Sequence, residues 1–123
     1  MAIDVLASGD GERWLVLGDL KELGEDAVTH HSMIGEYARE RSVDRIFALG
    51  ELSRSTVTAF GNNAQWFDDR EGLQDQLSGE LGRQTTGVTV LVKGSRSMSM
   101  DLVVDALVKN YSSAELSVVG GAI

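Results

Sequence analysis

Lys93-Gly94-Ser95-Arg96-Ser97 gathers two cations, two hydroxyls and a flexible residue into five positions, where an apolar run passes into a segment of helical period. Backbone N–H groups at a helix start attract carboxylate or phosphate, and arginine can grip either through paired hydrogen bonds. The segment therefore reads either as an anion site or as a solvated basic turn with a serine cap. Gly18-Asp19-Leu20-Lys21-Glu22-Leu23-Gly24 offers a second set of groups. An aspartate at a strand end accepts hydrogen bonds from ribose hydroxyls, or else caps a turn. Lys21 and Glu22 read as loop charges, Leu23 as an anchor against the core and Gly24 as a turn. In a third loop, Gly50-Glu51-Leu52-Ser53-Arg54-Ser55, Glu51 and Arg54 either position a polar ligand or pair weakly at the surface. His31 reads as a packed, hydrogen-bonded histidine and His30 as an exposed one. Trp14 and Trp66 are assigned to packing.

These loops need a scaffold that brings them together. Short apolar runs at Trp14 to Leu17, Arg45 to Leu49, Gln65 to Phe67 and Val88 to Val92 alternate with segments of helical period. That alternation predicts an α/β fold with a mostly parallel sheet, helices on both faces and three Rossmann-like layers. Ala27, Val28, His31, Ile34, Tyr37 and Ala38 recur at spacings of three and four and should form the packed side of a helix. A short helix is expected over Ser53 to Phe60, closed by Gly61, and another after an Asp69 N-cap through Leu73, Leu77 and Leu81. Ser95 or Ser97 is the candidate cap of a last helix carrying Val103, Ala106, Leu107 and Met100. Glu115 to Val119 is either a fifth strand or part of a frayed tail. Ala2 to Ala7 resembles the end of a helix.

The 123 residues suit one domain, residues 1–123, able to bury roughly two thirds of the unfolded surface. Hydrophobic residues at 42% and charged residues at 24% are ordinary globular composition. A net charge of -8 would repel a phosphate backbone, so nucleic acid is not an expected partner. With no cysteine and two histidines, neither a disulfide framework nor a metal site is expected. No basic leader precedes an apolar stretch, and no apolar run reaches the roughly 18 residues of a membrane span. A cytoplasmic address is expected. The chain has no G-x-x-x-x-G-K-[ST] phosphate loop, no G-x-G-x-x-G fingerprint and no G-x-S-x-G elbow. A self-sufficient ATPase, dehydrogenase or serine hydrolase is accordingly disfavoured.

Taken in order, Val16 to Gly24, then His31 and Gly35, then Leu91 to Met98 resemble the C-terminal domain of Mur ligases. The resemblance runs from about Ala2 to Lys109, with Leu20 where the family's pattern has methionine, a volume-conserving change. It is nearest to the branch that joins D-alanyl-D-alanine to UDP-N-acetylmuramoyl-tripeptide in peptidoglycan precursor synthesis. The resemblance implies an acyl-phosphate mechanism using ATP and Mg, both held mainly by a central domain outside this chain, and no catalytic residue within it. It also implies that Asp19 faces the nucleotide, that Lys93, Gly94, Ser95 and Arg96 face the incoming dipeptide, and that Glu51 and Ser53 are weaker substrate contacts. Gly18, Glu22, Leu23, Gly24 and His31 are carried over as motif positions. The isolated domain is expected to be inactive. The alternatives are a stand-alone module that binds a small anion, a partner-docking domain, and a related folate-polyglutamylating ligase.

Overall fold

A computed structural model describes residues 2–111 and 116–119. In it, α1 (Ala2–Ala7), β1 (Glu12–Gly18), α2 (Ala27–Glu40), β2 (Arg45–Leu49), α3 (Arg54–Phe60), β3 (Ala64–Phe67), α4 (Arg70–Gly82), β4 (Val88–Lys93), α5 (Asp101–Asn110) and β5 (Leu116–Val119) follow one another. The five strands form one sheet in the order β3-β2-β1-β4-β5, and every pairing is parallel. β1 pairs with β2 on one side and with β4 on the other. Chain progression across the sheet reverses there, and a crevice opens beyond the C-terminal strand ends at such a point.

The apolar runs are nearly continuous because the central strands are covered on both faces. Trp14 and Val16 point to one face together with Phe47, Leu49, Val90 and Val92, where α4 contributes Leu73, Leu77 and Leu81 and α5 contributes Val103 and Leu107. Leu15 and Leu17 point to the other face with Ile46, Ala48 and Leu91, beneath Ile3 and Leu6 of α1, Ile34 and Ala38 of α2, and Phe60 of α3. Full burial of each such leucine or isoleucine is worth about 1.5–3 kcal/mol. Asp69 caps α4 by accepting a 2.6 Å hydrogen bond from the Gly72 N–H, as its position predicts. Gly61 closes α3 at φ 87°.

Several expectations need correction. Val28 was expected on the packed side of α2 but is 55% exposed, because the buried stripe runs through Ala27, His31, Ile34, Gly35 and Ala38. Neither Ser95 nor Ser97 caps the last helix. A 3-10 turn covers Arg96–Met98, Ser99 adopts a left-handed conformation, and α5 begins only at Asp101 after Met100. The strand alternative holds over Leu116–Val119, which pairs with β4, while Glu115 and residues 120–123 lie outside the described residues. No helix among the described residues is long and apolar enough to cross a membrane.

Candidate functional site

The site is built where β1 and β4 leave the sheet side by side, with Leu17 opposite Lys93. Gly94 permits this approach: a Cβ there would lie 2.6 Å from Met100 Cγ and 3.2 Å from Gly18 Cα. Ser95 then joins the two exits. Its N–H donates to the Asp19 carbonyl at 2.9 Å, its Oγ accepts from the Lys21 N–H at 2.7 Å, and its hydroxyl proton goes to the Glu22 carboxylate. Both donors of Ser95 are therefore committed within the chain. The Ser95 hydrogen bond, which favours the ionised form, holds the Glu22 carboxyl below the usual glutamate range.

Asp19 is a second hub and is only 5% exposed. Its Oδ1 accepts from the Ser53 N–H at 2.9 Å and the Ser53 hydroxyl at 2.8 Å, and its Oδ2 accepts from the Leu52 N–H at 3.2 Å. One carboxylate thus ties the end of β1 to the β2–α3 loop. His31, fully buried, is the third tie: Nε2 accepts from the Leu20 N–H at 3.0 Å and Nδ1 faces the Ala27 carbonyl at 2.6 Å. These partners select the tautomer with the proton on Nδ1. Next, the Thr56 hydroxyl donates to the His31 carbonyl at 2.7 Å, so α2 and α3 are bonded directly behind the loop.

The three ties leave a cleft of about 470 Å³ lined by Leu20, Glu22, Leu23, His30, Ile34 and the Lys93-Gly94-Ser95 exit. Its walls are largely aliphatic. Lys93 is half-buried, and among the described residues its ammonium has no hydrogen-bond or ion-pair partner. The cleft therefore offers one unengaged cation, one ionised carboxylate and an apolar surface between them. Among the described residues no group of three or more His, Asp or Glu converges to hold a metal ion.

Of the residues singled out from sequence, Lys93, Gly94, Ser95, Glu22 and Leu23 meet in this cleft. Leu23 lines it with 37% of its surface exposed instead of anchoring the loop in the core. Glu22 is bonded to Ser95 and is more than a solvated charge. Gly24 supplies the expected turn at φ 66°. Arg96 is exposed and does not line the cleft. Glu51 lies apart as well, paired with Arg54 at 3.1 Å, while the Arg54 guanidinium stands 3.7 Å from the Trp66 ring centroid. Ser53 is buried against Asp19. Sequence reasoning missed Leu20, His30 and Ile34 as cleft residues. The available signal was their placement in the β1–α2 loop and on the adjoining turns of α2, which face the loop leaving β4.

Comparison with known proteins matches residues 1–96 to the family model described as "Mur ligase, glutamate ligase domain". The chain belongs to the Mur ligase family. The matched stretch of this Mur ligase domain includes every residue that lines the cleft. The chain is 39% identical over 109 residues to the UDP-N-acetylmuramoyl-tripeptide–D-alanyl-D-alanine ligase of Escherichia coli (strain K12), which is 89% of this chain and 24% of that relative. The enzyme of the same name from Buchnera aphidicola subsp. Acyrthosiphon pisum (strain APS) is 39% identical over 108 residues, 88% of this chain and 23% of the relative. A crystal structure of MurF from Acinetobacter baumannii superposes with a TM-score of 0.78 at 24% identity, covering 89% of this chain and 24% of that one. The Mur ligase domain thus spans about a quarter of the length of these relatives.

Proposed function

We propose that this chain is the closing domain of an ATP-dependent ligase that joins D-alanyl-D-alanine to UDP-N-acetylmuramoyl-tripeptide, and that the β1–β4 cleft seats the incoming dipeptide. The observation that carries the reading is Lys93, half-buried and without a hydrogen-bond or ion-pair partner among the described residues, beside an aliphatic cleft at the sheet's switch point. The volume lies in the roughly 300–1,000 Å³ range of small-molecule sites. Lys93 pairs with the dipeptide carboxylate, and Leu20, Leu23 and Ile34 accept its methyl groups. Ser95 holds the loops in register, and Arg96, at the exposed rim, meets substrate only on closure.

The sequence carries no phosphate loop, and among the described residues no group of three or more His, Asp or Glu converges. MgATP, held by the rest of the ligase, supplies the phosphoryl group that converts the precursor's carboxylate into an acyl phosphate. The contribution of this domain is to place the amine against that acyl phosphate and to restrict water as it closes. Asp19 reaches the nucleotide side through Oδ2, which has one protein donor where Oδ1 has two, while Glu51 and Ser53 shape the adjoining loop. By itself the chain is expected neither to hydrolyse ATP nor to form an amide.

Titration of the chain with D-alanyl-D-alanine and, separately, with ATP tests the reading through amide NMR shifts. Dipeptide-induced shifts confined to Leu20–Leu23, His30 and Lys93–Ser95 are expected. Dipeptide shifts centred on Glu51–Arg54 would contradict it. Equal response of the cleft to any small anion would favour a general anion-binding module instead.

A further inference from the structure

Among the described residues Glu22 is the one carboxylate that lines the cleft, and nothing in the assigned chemistry uses it. It approaches from the β1–α2 loop, whereas Lys93 approaches from the end of β4, so opposite charges enter the same aliphatic space from two different elements. The Ser95 hydroxyl donates to one Glu22 oxygen, Oε2, which fixes the side chain at the cleft wall, and the Glu22 backbone N–H also stabilises the charged carboxylate that faces the cleft. A small zwitterion with apolar side groups is complementary to that arrangement.

We propose that Glu22 binds the amino group of the incoming dipeptide, so that Glu22 and Lys93 together measure the separation of its two charged ends. The inference rests on the reading that the cleft holds the dipeptide. It adds a specificity: the cleft selects a free amine as well as a free carboxylate, and so rejects components whose amine is already acylated. Gripping both ends also fixes which end faces the opening, and an oriented amine is what the ligation needs. Ser95 acts through Glu22 as a positioning residue, since both of its donors are spent inside the chain.

The test titrates the 123-residue chain and its E22Q and S95A variants with D-alanyl-D-alanine, N-acetyl-D-alanyl-D-alanine and D-alanyl-D-alaninamide, following the Lys93–Ser95 amides. The unmodified chain should prefer the free dipeptide to its N-acetyl form by roughly fivefold, the size of a good exposed ion pair. E22Q should bind the two alike. S95A should keep much of the preference, because the carboxylate charge remains. A wild-type chain that binds both forms equally, or an E22Q variant that still discriminates, would overturn the role of Glu22 while leaving dipeptide binding in place. Equal loss of discrimination in S95A and E22Q would also overturn it, by assigning the effect to loop geometry. Failure of all three ligands to perturb the cleft would remove the dipeptide reading itself, and this inference with it.

Discussion

Replacing Asp19 with asparagine tests whether one carboxylate holds the strand-end loops together. In the native arrangement Asp19 accepts three hydrogen bonds, two from Ser53 and one from Leu52, at a site 5% exposed. The amide can keep its oxygen toward Ser53, but its NH2 then faces the Leu52 N–H, donor against donor. Leaving that half-buried N–H without an acceptor costs about 1 kcal/mol, the low end of the range for a buried donor. The two surviving bonds to Ser53 lose charge assistance and fall to roughly half their strength. Together these effects predict a loss of roughly 2–4 kcal/mol, a large part of the roughly 5–15 kcal/mol that stabilises a domain. For a chain of this size the melting temperature should drop by about 10 °C, read by thermal unfolding followed by near-ultraviolet circular dichroism. The Leu52 and Ser53 amide resonances should move well before unfolding. A variant melting within about 2 °C of the parent, with those two amides unshifted, would refute the argument.

Gly35→Ala should destabilise despite the roughly 1 kcal/mol that alanine gains in a helix. Its Cβ would press on the Thr56 carbonyl, a backbone atom that cannot swing aside, and overpacking of that kind costs about 1–3 kcal/mol; denaturant unfolding reads the net sign. Glu22 should titrate below the ordinary glutamate range, because Ser95 donates to its charged form, and Ser95→Ala should move it back up. Since the folded-state value is the depressed one, any stability from this bond is present above the unfolded-state value and is lost as pH falls through the folded one. Carboxyl carbon NMR of the two proteins checks both the direction and its reversal.

What could be read from the sequence followed the range over which each residue acts. β2 was legible to the residue because Ile46–Leu49, entered through Arg45, is an unbroken apolar run in a strand buried on both faces. The Asp69 cap was legible because its partner, Gly72, is three residues away. Ser95 was misread as a helix cap because its actual partners, Lys21 and Glu22, are 74 and 73 residues distant, and its Oγ cannot serve both those groups and a helix start. The same distance hid the cleft. Leu23 looks like a core anchor when its loop is read alone, and becomes a wall only when β4 is laid beside β1 by the crossover. His31 was legible as a packed histidine, yet its neighbour His30 enters the cleft by the turn of one helical position. Asp19 was legible as a strand-end acceptor, while the identity of its donors depended on a loop 33–34 residues away.

The central claim, that the cleft seats the dipeptide against Lys93, is tested most directly by kinetics in an active ligase. A chimera in which this chain replaces the corresponding quarter of the Escherichia coli relative, with and without Lys93→Met, supplies the comparison. Loss of a charged partner should raise the KM for D-alanyl-D-alanine by roughly tenfold or more. The KM values for ATP and for the UDP-linked tripeptide should stay unchanged. An unaltered dipeptide KM in an active chimera, or a change confined to ATP, would contradict the account.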